Sequence, residues 1–204
     1  MQITTLEQLR AAYPSEPSPN AVAKESAVVT PLYEKLIKTS PFCVVTTVGD
    51  GGLDCSPRGD GAGFVTVRDS GTLEVPDRRG NNRLDTLHNL IKDPRIGLIF
   101  LIPGVSECVR VRGTAAIRTD EDLLASHAVK GKRPSSVIVV SVARIYFQCA
   151  RAVIRSSLWN PDHHVDRGTL PTAGQLTEEA GGFSRAERIA YDEELAGRQA
   201  RTLY

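Results

Sequence analysis

The sequence predicts a mainly β protein with peripheral helices, built around a six-stranded antiparallel barrel. Residues 41–150 contain a series of short β-branched, apolar or alternating stretches, a pattern that is typical of strands. Turn signals rich in glycine, aspartate and proline separate these stretches, and such short connections favour antiparallel hairpins. So many strands in so short a stretch favour closure into a small barrel.

Helices are expected on both sides of the barrel. Thr5 can cap a first helix, and Pro31 can open a second because proline is tolerated in the first helical turn. A further helix is predicted at about 81–92, between two strands, and Ser184 is expected to open a polar helix near the end of the chain. The predicted organisation is one structural domain with a helical lead-in at 1–40, the barrel at 41–150 and a C-terminal helical extension at 151–204.

The strands follow from residue 42 onward, where the hydrophobic period changes. LDCSPRG follows the first hairpin turn and is interpreted as leading into a glycine-rich loop. Two of the six predicted strands lie in GFVTVRDSGTLEVPD, around the turn Asp69-Ser70-Gly71. The others are FCVVTTV, RIGLIFLI, ECVRVRGTAAIR and SSVIVVSVARIYFQC.

Composition narrows the class of protein. The 25 basic and 24 acidic residues nearly balance, which argues neither for nor against a nucleic-acid partner. No aromatic residue is interleaved in the basic cluster 78–83 and only 5% of all residues are aromatic, so we expect no nucleic-acid partner. The beginning of the chain does not resemble a signal peptide and no apolar run is long enough for a bilayer, so we expect a soluble cytoplasmic protein without a membrane partner. The four cysteines form no CxxC pair, and the Asp162-His163-His164 cluster has no third distant ligand in recognisable spacing, so no metal is expected.

A basic segment lies where a strand is predicted to end and a helix to begin. It contains Arg78, Arg79, Asn81, Asn82 and Arg83. A helix start offers unpaired backbone N–H groups and the positive end of the helix dipole, and arginine presents a planar fork to phosphate oxygens. The sequence therefore predicts a phosphate-bearing ligand here, with a solvated surface turn as the alternative.

Four further candidate ligand-binding residues lie outside that basic segment. Arg58 precedes a glycine-rich loop that would let the backbone approach a flat ring, although a mobile turn with a solvated arginine fits the same pattern. Arg110 and Arg112 share one face of a predicted strand and point either into a ligand cleft or to water. Trp159, the single tryptophan, either borders a flat cofactor or packs in the core.

The order of these pieces resembles the pyridoxamine 5′-phosphate oxidase-like flavoproteins, and more closely their branch of FMN-dependent enzymes. The resemblance covers roughly residues 30–160 and rests on SPRGD, LEVPDRRGNNR, DPRIGLIFLIPG and ECVRVRGTAAI. It implies a six-stranded, Greek-key split barrel that forms homodimers with FMN between the subunits.

The resemblance also implies roles for residues. Arg58 takes the position of an arginine near the flavin phosphate, and Arg83, with its basic neighbours, matches the segment that holds that phosphate. The strand from Cys108 to Arg112 matches one that runs beside the isoalloxazine ring, which Gly59 and Asp60 would also approach.

Two departures bear on the activity. The oxidases carry a lysine shortly after the early arginine, where this chain is glycine-rich, and their C-terminal Arg-x-Ser-x-Arg-type substrate segment has no counterpart in RSSLWNPDHH. The sequence thus predicts a flavin-dependent oxidoreductase with an unknown small-molecule substrate and no identified catalytic residue. The alternatives are an F420-dependent reductase, a non-catalytic flavin sensor or storage protein, and a haem-binding split barrel, the last disfavoured because the histidines lie outside the predicted flavin strands.

Overall fold

The structure, a computed structural model, describes residues 1–203 and is organised around one antiparallel β-sheet. The strands are β1 Phe42–Gly49, β2 Gly52–Gly59, β3 Thr66–Asp69, β4 Thr72–Asp77, β5 Arg95–Leu101, β6 Cys108–Arg118 and β7 Ser136–Gln148. They are hydrogen-bonded in the order β2-β1-β5-β6-β7-β4-β3. The prediction of a mainly β fold with helices is confirmed.

The sheet has seven strands, so the predicted count of six is wrong. The additional strand is β2, which pairs with β1 from Phe42↔Gly59 to Gly49↔Gly52. Pro57 weakens the strand signal because it cannot donate a backbone hydrogen bond, yet proline is tolerated on an edge strand such as this one. In the described part of the chain β2 and β3 are not paired with each other, so the sheet is open and the predicted closure into a barrel is not confirmed.

Eight α-helices lie among residues 1–203. They are α1 Leu6–Ala12, α2 Pro19–Ala23, α3 Pro31–Thr39, α4 Asp85–Lys92, α5 Glu121–Ser126, α6 Arg151–Ser156, α7 Ala173–Glu179 and α8 Arg185–Thr202. The expected capping residues occupy their positions: Thr5 accepts a hydrogen bond from the Gln8 amide, and Ser184 forms a capping box with Glu187. Helix α4 begins at Asp85 and not at 81, which leaves the basic segment in the loop before it.

The core lies on one face of the sheet. In β1 the buried side chains alternate with half-exposed ones, and in β5 Ile96, Leu98 and Phe100 are buried in the same way. Helix α4 packs against β1, β2 and β6, with Thr86 and Leu90 buried beneath it. The strand that ends at Asp77 and the helix that begins at Asp85 are thus both anchored, which fixes the two ends of the basic loop.

The opposite face of the sheet is more exposed and carries the two predicted strand arginines. Val44, Ile99, Arg110 and Tyr146 face one another across β1, β5, β6 and β7. The Arg110 guanidinium lies over the Tyr146 ring, with 5.1 Å between Cζ and the ring centroid. Arg112 follows two residues later on the same face and is exposed.

The C-terminal segment, residues 150–203, adds little to this core. Only Val153 and Gly174 are buried within it. Helices α7 and α8 contact each other, and Trp159 Nε1 donates a 2.8 Å hydrogen bond to the Val105 carbonyl in the turn between β5 and β6. None of the helices among residues 1–203 combines the length and the apolar character that crossing a membrane requires.

Candidate functional site

A large open cleft lies between β2, the end of β4, the basic loop and the start of α4. Its volume is about 1090 Å³, slightly above the range of roughly 300–1,000 Å³ for small-molecule sites. Seven of the eleven predicted site residues line it: Arg58, Gly59, Arg78, Arg79, Asn81, Asn82 and Arg83. An eighth, Asp60, contacts one of these arginines from beside the cleft.

Arg58 reaches the cleft from the edge strand β2 and is largely buried. Its Nη1 donates to Ser56 Oγ at 2.6 Å, and its Nη2 lies 3.3 Å from Asp77 Oδ1. Its Nε is buried and, among residues 1–203, has no hydrogen-bond partner. A buried donor without a partner is costly, so this nitrogen is a position where a ligand acceptor would be stabilised.

Asp77 and Ser136 also belong to the cleft, although sequence reasoning identified neither of them. They face each other at the ends of β4 and β7, and Ser136 Oγ is also buried without a partner within the described residues. Burial raises the pKa of the Asp77 carboxyl above its usual value, while the Arg58 guanidinium opposes that rise. Pairing of strands so distant in sequence leaves no local signal, so only the fold could reveal these two residues.

Arg78 lines the cleft and also connects separate parts of the fold. Its Nε donates to Asp60 Oδ2 at 2.8 Å and its Nη1 donates to the His127 carbonyl at 2.8 Å. The His127 ring in turn lies 3.0 Å from Glu74 Oε2, and both side chains are buried. Because its hydrogen bonds lead into this network, Arg78 is less available to a ligand than the other arginines.

The rest of the basic loop is exposed and has unusual backbone geometry. Asn82 and Leu84 both have a φ of 62°, and Leu84 precedes α4 without providing a side-chain cap. The first N–H groups of α4 therefore have no capping side chain, although the Asp85 carboxylate lies beside them and pairs with Arg83. A left-handed leucine is strained, and such strain is found preferentially at functional sites.

Three predicted residues lie outside the cleft. Arg110 and Arg112 are on the exposed face of the sheet, and Trp159 contacts the turn after β5. Their assignment to a ligand stays a prediction, because one subunit alone does not bring them together with the basic loop.

The chemistry of the cleft is that of an anion site. Four arginines and three aspartates (Asp54, Asp77, Asp85) line it, and the first residues of α4 belong to its lining. A phosphate monoester fits this cleft, because its oxygens can accept hydrogen bonds from the arginine guanidinium groups and from the first N–H groups of α4. It could also pair with the two buried polar atoms that lack a hydrogen-bond partner, Arg58 Nε and Ser136 Oγ. Within residues 1–203 no group of three or more His, Cys, Asp or Glu side chains could hold a metal ion.

Three solved structures illustrate what this chain is similar to, all at low sequence identity. HupZ of Group A Streptococcus is similar over 58% of this chain and 93% of its own, with 20% identity and a TM-score of 0.48. The General Stress Protein 26 of Bacillus anthracis is similar over 55% of this chain and 88% of its own, with 16% identity and a TM-score of 0.43. The FAD binding protein of Mycobacterium smegmatis is similar over 60% of this chain and 97% of its own, with 17% identity and a TM-score of 0.43.

No curated protein matches the chain significantly. The sequence profile described as pyridoxamine 5′-phosphate oxidase, in contrast, matches residues 29–149, which is more than half of the chain and includes every strand. The chain therefore belongs to the pyridoxamine 5′-phosphate oxidase family.

Proposed function

We propose that this protein binds FMN in the cleft and acts as a flavin-dependent oxidoreductase on a small molecule that is not identified. One observation carries the proposal: the cleft gathers the predicted phosphate-binding arginines around two buried polar atoms that lack partners. Family membership supports it, because the match covers the segment that contains both Arg58 and the basic loop.

The phosphate would lie at the basic loop. Arg79 and Arg83 reach this region from the loop and Arg58 from β2, while the first N–H groups of α4 offer further donors. Arg58 Nε and Ser136 Oγ would then obtain acceptors that the protein itself does not provide. The flavin supplies the hydride or electron chemistry when it is bound, and the protein supplies the binding contacts, the orientation and the electrostatics.

We further propose that the active form is a homodimer with FMN between the subunits. Arg110 and Arg112 lie on the outer face of the sheet and do not line the cleft of their own subunit. One flavin can contact both sets of residues if the second set comes from another copy. Half-exposed apolar side chains on that same face, Val44 and Ile99, suit a protein partner better than water.

The absorption spectrum of freshly purified protein, with the mass of the released cofactor, is the first test. We expect the two visible bands of an oxidised flavin and the mass of FMN. If the spectrum and the mass are those of F420, the cofactor is the deazaflavin and the FMN proposal is wrong. If the spectrum shows a Soret band, the cofactor is haem and the proposal is also wrong.

Arginine substitutions test the assignment of the site. Arg83→Ala removes a side chain that is 74% exposed, so the fold should persist. We expect FMN binding to weaken by about 1.5–3 kcal/mol, the scale of a charge-assisted hydrogen bond. The matched control is Arg95→Ala, since Arg95 is also exposed and pairs with an aspartate two residues away but lies outside the cleft. Equal FMN affinity in both variants and the wild type would refute the assignment.

Ile99→Glu tests the dimer. A carboxylate in the middle of the outer face should prevent association, because burying an unpaired charge is costly. Sedimentation analysis should show a monomer, and FMN titration should show weaker binding although the cleft is unchanged. A dimer with normal FMN affinity would contradict this part of the proposal.

Turnover separates an enzyme from a sensor or storage protein. Anaerobic addition of NADH or NADPH to the FMN-loaded protein should bleach the flavin, and admission of oxygen should restore its colour. A flavin that neither nucleotide bleaches, in a protein that binds it tightly, would favour the non-catalytic alternative.

A further inference from the structure

A second concavity adjoins the cleft on the side of Arg78 and Arg79. We call it the basic annex and define it by its lining residues, Arg78, Arg79, Lys132, Arg133 and Ser135. Its volume is about 490 Å³, and three of its five residues also line the cleft. The two spaces are therefore neighbours, and one ligand could occupy both.

The floor of the annex is fixed by the interior of the protein. The Arg78 guanidinium is held by Asp60 and by the His127 carbonyl, and the exposed fractions of the Arg78 and Asp60 side chains are 17% and 7%. The Ser135 amide donates to the Asp77 carbonyl at 3.3 Å, which ties the far side of the annex to the end of β4. These contacts tie two sides of the annex to the interior of the protein.

The backbone of the rim that carries Lys132 and Arg133 is defined by a tight turn. Val129 and Lys132 exchange two backbone hydrogen bonds of 3.0 and 2.9 Å around Lys130 and Gly131. Both intervening residues have positive φ, 51° and 76°, as a tight two-residue hairpin turn of type I′ requires. This turn places Lys132 and Arg133 on the same concavity as Arg79.

The lining of the annex carries positive charge. Four of its five residues are cations and none of the five is acidic. Because Arg78 is committed to Asp60 and the His127 carbonyl, an anion would be met by Arg79, Lys132 and Arg133. The pair of Arg133 with Glu121 at the rim is exposed, 51% and 77%, so it contributes little and can yield to a ligand anion. A phosphate group, with one or two negative charges and several acceptor oxygens, matches this cationic lining.

We propose that the basic annex is a subsite for a second phosphate group, next to the one at the basic loop. The inference rests on the proposed function in that the adjoining cleft holds a flavin phosphate. The second phosphate has two sources of the same chemistry: the remainder of a flavin dinucleotide bound in place of FMN, or the phosphate of a second nucleotide that binds to the FMN-loaded protein.

The test uses the double variant Lys132→Ala/Arg133→Ala, with Lys92→Ala/Arg95→Ala as control. The control removes the same two charges from exposed positions that line neither space. Wild type and both variants are titrated with FMN and FAD by flavin fluorescence, and with inorganic pyrophosphate by calorimetry, before and after FMN loading.

We expect the annex variant to lose about 10- to 100-fold in affinity for at least one diphosphate probe, the scale of a charge-assisted hydrogen bond, while FMN affinity stays within about threefold. Loss confined to FAD identifies the dinucleotide cofactor as the source, and loss of pyrophosphate binding to FMN-loaded protein identifies a second molecule. Unchanged affinity for both probes overturns the inference.

Failure of the proposed function gives a different pattern. A protein that binds neither FMN nor FAD would refute flavin binding, yet pyrophosphate binding to the ligand-free protein would still report on the annex. In that case weaker binding in the annex variant than in the control supports the subsite, and equal binding overturns it.

Discussion

The sheet, residues 42–148, and the C-terminal segment, residues 150–203, are stabilised in different ways. Side chains such as Phe100 and Val111 are almost completely buried in the sheet, whereas the C-terminal segment buries only Val153 and Gly174. Its helices depend instead on polar contacts at their ends. The sheet region is therefore expected to resist denaturation through apolar burial, and the C-terminal segment through a few hydrogen bonds.

The polar contacts of the C-terminal segment are concentrated where α7 and α8 meet. Both helices begin with a capping box, formed by Thr172 with Gln175 and by Ser184 with Glu187. Asp192 then joins the two helices, because Thr172 Oγ1 donates to it at 2.5 Å and the Gly174 amide donates at 2.9 Å. Such contacts define a local shape but bury little surface.

The largest expected difference concerns apolar truncation. Phe100→Ala removes a side chain that is 1% exposed and should lower the free energy of unfolding by about 3–5 kcal/mol. Ile189→Ala in α8 removes one that is 43% exposed and should change it by less than about 0.5 kcal/mol. Urea denaturation of both variants measures the contrast, and comparable losses would show that α8 also depends on apolar burial.

Two glycines should respond in opposite directions. A Cβ at Gly113, at the bulge between β6 and β7, would lie 2.0 Å from the Ser141 carbonyl oxygen, so Gly113→Ala should destabilise by about 1–3 kcal/mol or more. At Gly197 the nearest atom is the flexible end of Arg201, 3.2 Å away, so Gly197→Ala should stabilise α8 by up to about 1 kcal/mol. Thermal unfolding monitored by circular dichroism tests both signs.

The sheet and the C-terminal segment also differ in how well the sequence predicts their strands and helices. Alternation identified the interior strands, but β2 was missed because Pro57 and the glycines after it resemble a loop. Helix α7 was missed too, although Thr172 and Gln175 form a recognisable capping pair. Local chemistry could have revealed that helix.

The candidate site was predictable to the extent that its residues are neighbours in sequence. The basic loop provides five of the cleft's predicted residues, from Arg78 to Arg83, and they are contiguous enough to be recognised. The pairing of Arg58 with Asp77 and the commitment of Arg78 to Asp60 and His127 depend on strand pairing over long separations. No local pattern encodes these contacts.

Acid should weaken the contact between α7 and α8. The Thr172 hydroxyl, followed by the Gly174 amide, lowers the pKa of Asp192, so its contribution is present above the usual aspartate pKa and is lost as the pH falls through the lowered value. The Gly174 amide resonance should shift in an NMR titration from about pH 6 to pH 2. Asp192→Asn should abolish that shift, and an unaltered titration in this variant would contradict the assignment.

Thiol reactivity is expected to differ between a buried cysteine of the sheet and an exposed cysteine after its last strand. Burial raises the pKa of Cys43 in β1 to about 12. A hydrogen bond from the Arg151 amide lowers the pKa of the exposed Cys149, which lies between β7 and α6. Iodoacetamide at neutral pH should therefore modify Cys149 and spare Cys43, as peptide mass spectrometry can show. Early modification of Cys43 would mean that the sheet opens readily.

The hydrogen bond of Trp159 has a practical consequence for spectroscopy. Trp159 is the only tryptophan in the chain, and its indole N–H donates a hydrogen bond to the Val105 carbonyl in the turn between β5 and β6. Its fluorescence emission therefore reports on this one contact between the sheet region and the C-terminal segment. When the C-terminal segment detaches, the emission should shift to longer wavelength while the circular dichroism of the strands is unchanged.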